Sequence, residues 1–217
     1  MIYRQVFGEI FPMETAIAGA VFVIVLATVI YAVVLRRARA GRSASGRIEL
    51  PKLELAYAVL LAGVAAFLVY ATASANTRLH RATSDPARSG DPAENVKVTA
   101  FQWCWRFDYL DRRTSVGGSC ASSRHYPVLV VPTGRPVRFR LTSSDVEHSM
   151  WVPALKFKVD AFPHHTNAFT LRFDEPGQWL GRCAEFCGNR HSFMHFYLRA
   201  VRPDEYRRWL QQHPGTP

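Results

Sequence analysis

Residues 135–143 read RPVRFRLTS, with Val137, Phe139 and Leu141 alternating with Arg138 and Arg140. A period of two puts the apolar set on one face of a pleated strand and the guanidinium groups on the other, so this stretch predicts a strand with one dry and one wet side. The segments around it are of the same kind: short, β-branched or aromatic, and separated by turn residues. Upstream lie VKVTAFQWCWRFDY from Val96 and YPVLVVP from Tyr126; downstream lie NAFTLRFDEPGQWLGRC from Asn167 and SFMHFYLRAV from Ser192. This spacing predicts an antiparallel β-sandwich or barrel. The final PDEYRRWLQQH, with Pro203 near its start and acids in its first turn, predicts a short helix.

Further upstream the chain changes character. Residues 78–95 are rich in Pro, Gly, Ser and charge and predict an exposed linker. Before it, residues 16–35 (AIAGAVFVIVLATVIYAVVL) carry no charge, and as a helix they would run about 30 Å, the thickness of a hydrocarbon core. Residues 55–77 form a second uncharged run, in which Ala62, Gly63, Ala65 and Ala66 would let a neighbouring helix approach closely. The expected organisation is a transmembrane helical hairpin over 1–77, a linker over 78–95 and an all-β domain with a short C-terminal helix over 96–217.

The formal charge of +10 and a pI near 9.9 raise the question of nucleic acid, but the position of the charges answers it differently. Arg36, Arg37, Arg39, Arg42, Arg47 and Lys52 lie between the two apolar runs, against Glu49 and Glu54. The positive-inside rule places that connection in the cytoplasm and both termini, with the β domain, on the extracytoplasmic side of the plasma membrane. A cleaved signal peptide would carry its bases before the apolar stretch; here they follow it. No nucleic-acid partner is expected, and no Gly-rich phosphate loop occurs.

Chemistry concentrates in residues 181–194, GRCAEFCGNRHSFM. Thiolate and thioether select soft or borderline metals and imidazole suits copper, so Cys183, Cys187, His191 and Met194 together point to copper. Methionine is the informative member, because zinc sites are built from Cys, His and carboxylate. His148, in DVEHSMWVP, is the best further ligand from elsewhere in the chain. A single blue-copper site uses one Cys; a second thiolate makes sense if both sulfurs bridge two copper ions. A Cys183–Cys187 disulfide with Met194 as core filling is the competing reading. His164, His165, His195 and His213 have no partners at ligand spacing and read as surface or packing residues.

These residues resemble subunit II of the haem-copper cytochrome c oxidases. The pattern C-x-E-x-C-x-x-x-H-x-x-M appears as Cys183, Glu185, Cys187, His191 and Met194; D-x-x-H-S-x-x-x-P appears as Asp145, His148, Ser149 and Pro153; FQWCWRFDY is similar to an aromatic block of that family. The resemblance implies a cupredoxin fold and a dinuclear CuA centre. In it Cys183 and Cys187 bridge the coppers, His148 and His191 ligate one each, and Met194 and the Glu185 carbonyl are weak ligands. It further implies a Mg or Mn ion shared with subunit I through the Glu185 side chain, electron acceptance at Trp103, and a proton-pathway mouth at Glu54. Trp103 could equally be a core aromatic, and Glu54 an interfacial carboxylate beside Lys52.

The implied partners are subunit I with its haem and CuB, other oxidase subunits, and a cytochrome c donor; oxygen reduction and proton pumping would lie in subunit I. No C-x-x-C-H occurs, so the electron must come from another protein. Alternatives are the CuA subunit of a nitric oxide reductase, or a membrane-anchored copper chaperone. Two features depart from the family. Cys104 replaces a usual aromatic and, with Cys120, makes a disulfide candidate in an exported domain. Residues 95–217 hold 17 Lys and Arg against 10 Asp and Glu, a net of +7, which suits an acidic or membrane-tethered cytochrome rather than a basic soluble one.

Overall fold

The computed structural model describes residues 1–35, 50–84, 94–118, 120 and 125–213. The basic connection at 36–49 and residues 85–93 of the expected linker lie outside these. The chain divides into two compact units, residues 6–78 and residues 1–5 with 79 onward.

In the first unit, helix α1 (Ile2–Ile30) ends in one π-helical turn, Tyr31–Leu35, and helix α2 spans Pro51–Ser84. Both are long and apolar enough to cross a membrane. Val23, Ile24, Leu60, Val69 and Tyr70 are all exposed on them. Such surfaces are costly in water and suit a hydrocarbon surround. Two polar contacts join the helices: Arg78 Nη1 pairs with Glu9 Oε2 at 3.1 Å and Thr72 Oγ1 donates to Glu14 Oε1 at 3.5 Å. α2 runs on through Ser84, past the expected linker start at 78, because Arg, Leu and Ala in RLHRATS favour helix. Thr83 returns its hydroxyl to the Leu79 carbonyl at 2.9 Å, a bond the helix itself supplies.

The second unit is a sandwich. One sheet holds β1 (Glu94–Phe101), β2 (Cys104–Tyr109), β3 (Thr114–Gly117), β5 (Pro136–Ser143) and β8 (Asn167–Arg172), in the order β3-β2-β1-β5-β8. The other holds β4 (Val128–Pro132), β6 (His148–Val152), β7 (Phe157–Ala161), β9 (Gly177–Cys183) and β10 (His195–Val201), in the order β4-β10-β9-β6-β7. The alternation read at 137–141 is realised: Val137, Phe139 and Leu141 are buried while Arg140 is exposed. Two pairings, β1 with β5 and β10 with β4, are parallel, so the sheets are mixed rather than purely antiparallel.

The core closes between the sheets. Trp105, Phe107, Phe139, Phe157 and Phe196 are fully buried, and the Trp105 and Phe196 rings meet edge-on at 5.3 Å. Tyr109 crosses from the first sheet to the second, donating to the Val130 carbonyl at 2.8 Å and accepting the Val130 N–H at 2.9 Å, so its buried hydroxyl is fully used. The helix at the end, α3 (Pro203–Gln212), packs Trp209 on Tyr109 with centroids 5.0 Å apart.

Within VKVTAFQWCWRFDY the chain turns back on itself at Gln102 and Trp103, and β1 and β2 pair antiparallel around that turn with Phe101 opposite Cys104. Cys104 and Cys120 are joined as a disulfide, with Cα atoms 5.2 Å apart, tying the start of β2 to the segment that precedes β4. The bridge spans 16 positions, so the chain-entropy model gives it about 3 kcal/mol. Replacing both cysteines by serine lowers the stability of the copper-free chain by about that amount, read as a lower urea midpoint with a steeper slope, because the denatured chain without the bridge exposes more surface.

Candidate metal centre

Three strand ends bring the ligand residues together. Met150 on β6 pairs with Cys183, the last residue of β9, and the Ala184 N–H extends that ladder to the Ser149 carbonyl at 3.0 Å. His148, the first residue of β6, therefore stands beside Cys183. β10 begins at His195 opposite Arg182, so Met194 lies across from Cys183 and its carbonyl accepts the Cys183 N–H at 3.0 Å. Between them, residues 184–194 form a loop closed by one 3₁₀ turn, His191–Phe193, in which Met194 N–H returns to the His191 carbonyl at 3.2 Å.

Cys183 Sγ and Cys187 Sγ are buried, unjoined and 3.8 Å apart. Each sulfur has its own imidazole: His148 Nδ1 is 3.8 Å from Cys183 Sγ, and His191 Nδ1 is 3.6 Å from Cys187 Sγ. Met194 Sδ lies 3.9 Å from Cys187 Sγ, and the Glu185 carbonyl oxygen lies 3.3 Å from Cys183 Sγ. His148 and Met194 are wholly inaccessible to solvent, whereas His191 is half-buried. The His148, Cys183 and Cys187 ligand atoms all lie within 4.8 Å of one another. All six residues expected to act as ligands meet in one place, Glu185 through its backbone.

The electrostatics follow from that crowding. Burial opposes ionisation of Cys183, but the adjacent His148 prevails and brings the thiol down to about 7. Burial and the Cys183 charge push Cys187 up to about 12. Burial also works against charge on His148, yet Cys183 and Asp145 on either side raise it overall. The donor set fits copper: two thiols too close to ionise together unless a cation lies with them, two imidazoles and a thioether.

Trp103 is half-buried above the loop, and its Nε1 donates to the Cys187 carbonyl at 3.0 Å. The Gln102 side chain donates to the same oxygen at 2.9 Å. Gly188 permits that approach, with φ at +111° and room for no Cβ without a 3.3 Å contact on Trp103 Nε1. Asp145 accepts from His148 Nε2 at 2.9 Å and from the Gln102 N–H at 2.6 Å. Burial would raise the Asp145 carboxyl, but these hydrogen bonds outweigh it and hold it below the usual range. Asp145 was legible only as a motif member, and Gln102 only as part of an aromatic block; neither announced its partner.

Other expected residues lie elsewhere. The Glu185 carboxylate is 3.6 Å from Lys158 Nζ. Glu54 sits in the first turn of α2 and accepts the Leu50 N–H at 3.2 Å, as a residue near a helix start does. His195 meets the Tyr126 hydroxyl at 3.1 Å and His165 meets Asn167 Oδ1 at 3.2 Å, both away from the ligand cluster.

Fold and site together define a cupredoxin-like domain carrying a CuA-like His/Cys/Cys group, in a chain whose two apolar helices fit a membrane anchor. Residues 95–201 match the model of the cytochrome C oxidase subunit II periplasmic domain. Cytochrome c oxidase subunit 2 of Alkalihalophilus pseudofirmus is 35% identical over 177 residues, covering 78% of this chain and 49% of that one. The probable subunit 2 of Streptomyces avermitilis is 30% identical, covering 76% and 60%. The crystal structure of the periplasmic domain of subunit II of cytochrome oxidase (CoxB) of Bradyrhizobium japonicum superposes with a TM-score of 0.52 at 27% identity, covering 57% of this chain and 95% of that one. Over residues 95–201 the chain belongs to the cytochrome c oxidase subunit II family. It spans 49% to 60% of the length of these curated relatives.

Gly188→Ala combines a left-handed backbone with a Cβ against the indole. It displaces Trp103 from the Cys187 carbonyl, which is seen as restored tryptophan solvent accessibility to an aqueous quencher, at a stability cost of about 1–3 kcal/mol.

Proposed function

We propose that this chain is the electron-accepting subunit of a haem-copper terminal oxidase, holding a dinuclear CuA centre that passes electrons from a cytochrome c toward haem in subunit I, where oxygen is reduced and protons are pumped. The observation that carries this reading is the pair of buried, unjoined sulfurs 3.8 Å apart, each with its own imidazole. Cys183 and Cys187 would bridge the two coppers, His148 and His191 would complete one ion each, and Met194 and the Glu185 carbonyl would be the weak ligands. When bound, copper supplies one-electron chemistry shared over two ions and two sulfurs.

The protein's part is to hold donors and exclude water. His148, without solvent access, keeps one imidazole dry, and the buried Met194 closes the floor. Trp103 offers an indole between solvent and the Cys187 carbonyl, 3.0 Å from its nitrogen, which suits the receipt of an electron from a docked donor. Glu185, paired with the exposed Lys158 at 3.6 Å, is assigned the Mg or Mn shared with subunit I, and Glu54 the mouth of a proton pathway. The hairpin is assigned a cytoplasmic connection and extracytoplasmic termini, and the whole assembly includes further oxidase subunits. The net +7 of residues 95–217 favours an acidic or membrane-tethered cytochrome as donor.

The test is a visible and near-infrared spectrum of the copper-loaded full chain in detergent, with copper counted per protein. Two coppers and a near-infrared band are expected; one copper, or a Cys183–Cys187 disulfide in the reduced preparation, would overturn the reading. Trp103→Phe keeps that spectrum and slows electron uptake, whereas Cys187→Ser abolishes it. Electron uptake from an acidic cytochrome falls as salt rises, because screening removes an attraction; a rate that rises with salt contradicts the assigned donor.

A further inference from the structure

We propose that Asp145 is a positioning residue that ties the copper ligand His148 to the turn carrying Trp103, so that one carboxylate sets both the metal pocket and the side chain over it. The inference rests on the copper reading above and goes beyond it.

The geometry gives each carboxylate oxygen its own task. Asp145 Oδ1 accepts from His148 Nε2 at 2.9 Å, from the Val146 N–H at 2.7 Å and from Ser143 Oγ at 3.2 Å; Oδ2 accepts the Gln102 N–H at 2.6 Å. An ionised carboxylate only accepts, so Nε2 keeps a proton toward Asp145, and an imidazole holding a metal would present its Nδ1 lone pair on the side of Cys183 Sγ, 3.8 Å away. A metal-bound imidazole needs its tautomer and ring orientation fixed in this manner.

The second oxygen reaches the other half of the site. With its backbone N–H held by Asp145, Gln102 sends its side chain to the Cys187 carbonyl at 2.9 Å, and the neighbouring Trp103 indole reaches the same carbonyl at 3.0 Å. The contacts therefore close a ring: Cys183 to His148, His148 to Asp145, Asp145 to the Gln102–Trp103 turn, that turn to Cys187, and Cys187 Sγ back to Cys183 Sγ at 3.8 Å. Asp145 belongs to the β5–β6 connection, the turn lies between β1 and β2, and the sulfurs belong to the end of β9 and the loop after it, so the ring joins three separate segments. Asp145 also has a local duty, capping its own loop through Val146 and Ser143, and the experiment must separate the two.

Asp145→Asn keeps the shape but makes one of the two oxygens an amide donor, so it cannot accept from both His148 and Gln102. In the full chain in detergent, copper affinity, measured against a competing chelator, falls about 10–100-fold. Electron uptake at saturating copper also slows, and the Asp145→Asn, Trp103→Phe double variant loses less than the product of the single losses, because both act through the same turn. Ser143→Ala removes the hydroxyl that caps the loop, with its contacts to the Val146 carbonyl, the Asp145 N–H and Asp145 Oδ1, but leaves the Asp145 bonds to His148 and Gln102, and copper affinity stays within twofold of the parent. Should Asp145→Asn fail to fold, Asp145→Glu, which keeps the charge but misplaces the oxygens, is read by the same measurements.

Three results overturn the proposal: Asp145→Asn binding copper within twofold of the parent, Ser143→Ala matching its loss, or independent effects in the double variant. A parent chain that takes up no copper overturns the copper reading itself, whereas a copper-binding parent with an indifferent Asp145→Asn overturns this inference alone.

Discussion

Two thiols held 3.8 Å apart in a dry pocket form an unstable arrangement on their own. If both ionise, their repulsion is about 4 kcal/mol at an effective dielectric of about 20. If they meet an oxidant, they join. The protein makes the spacing permanent with backbone contacts rather than with the sulfurs themselves: the Cys183 N–H to the Met194 carbonyl, the Ala184 N–H to the Ser149 carbonyl and two side-chain donors on the Cys187 carbonyl. The unequal thiols, one lowered and one raised, are what a pair shows when only one negative charge can be tolerated without a cation between them.

The sandwich supplies the framework that such a pair needs. A loop of eleven residues, 184–194, would be mobile if its ends were free, but both ends emerge from adjacent strands of one sheet, β9 and β10, whose register opposes Arg182 to His195. The third contributor, His148, arrives on β6, the other neighbour of β9. Ligands from three adjoining strand ends thus need no rearrangement to converge. Donors fixed in this way move little when a metal is bound, which suits the proposed electron-transfer role.

What could be read in the residues beforehand depended on whether the signal was local. The alternation at 137–141, the two apolar runs and the offsets from Cys183 to Met194 are local patterns, and each corresponds to an element or a cluster in the structure. The short strands β3, β6 and β7 were not legible, since TSVG, HSMWV and FKVDA are too brief or too polar to carry a period. The reversal inside VKVTAFQWCWRFDY was hidden as well, because Gln and Trp are not turn formers and the turn is held from outside, by Asp145 and by Cys187. The parallel pairings of β1 with β5 and β10 with β4 are long-range choices that no window of sequence contains.

The aromatic block and the ligand loop, 84 and 85 positions apart at their contacts, behave as one site. Trp103 alternates with Cys104 and Trp105, so strand geometry alone would send Trp103 and Trp105 to the same face; the turn at 102–103 breaks that rule. Trp105 goes into the core beside Phe196 and within 6.4 Å of the His148 ring, while Trp103 stays half-buried against Cys187. Cys104, between them, is anchored to Cys120. One indole thus lies edge-on to the His148 imidazole and the other holds the Cys187 carbonyl, and the separation of those two roles is produced by a reversal of two residues.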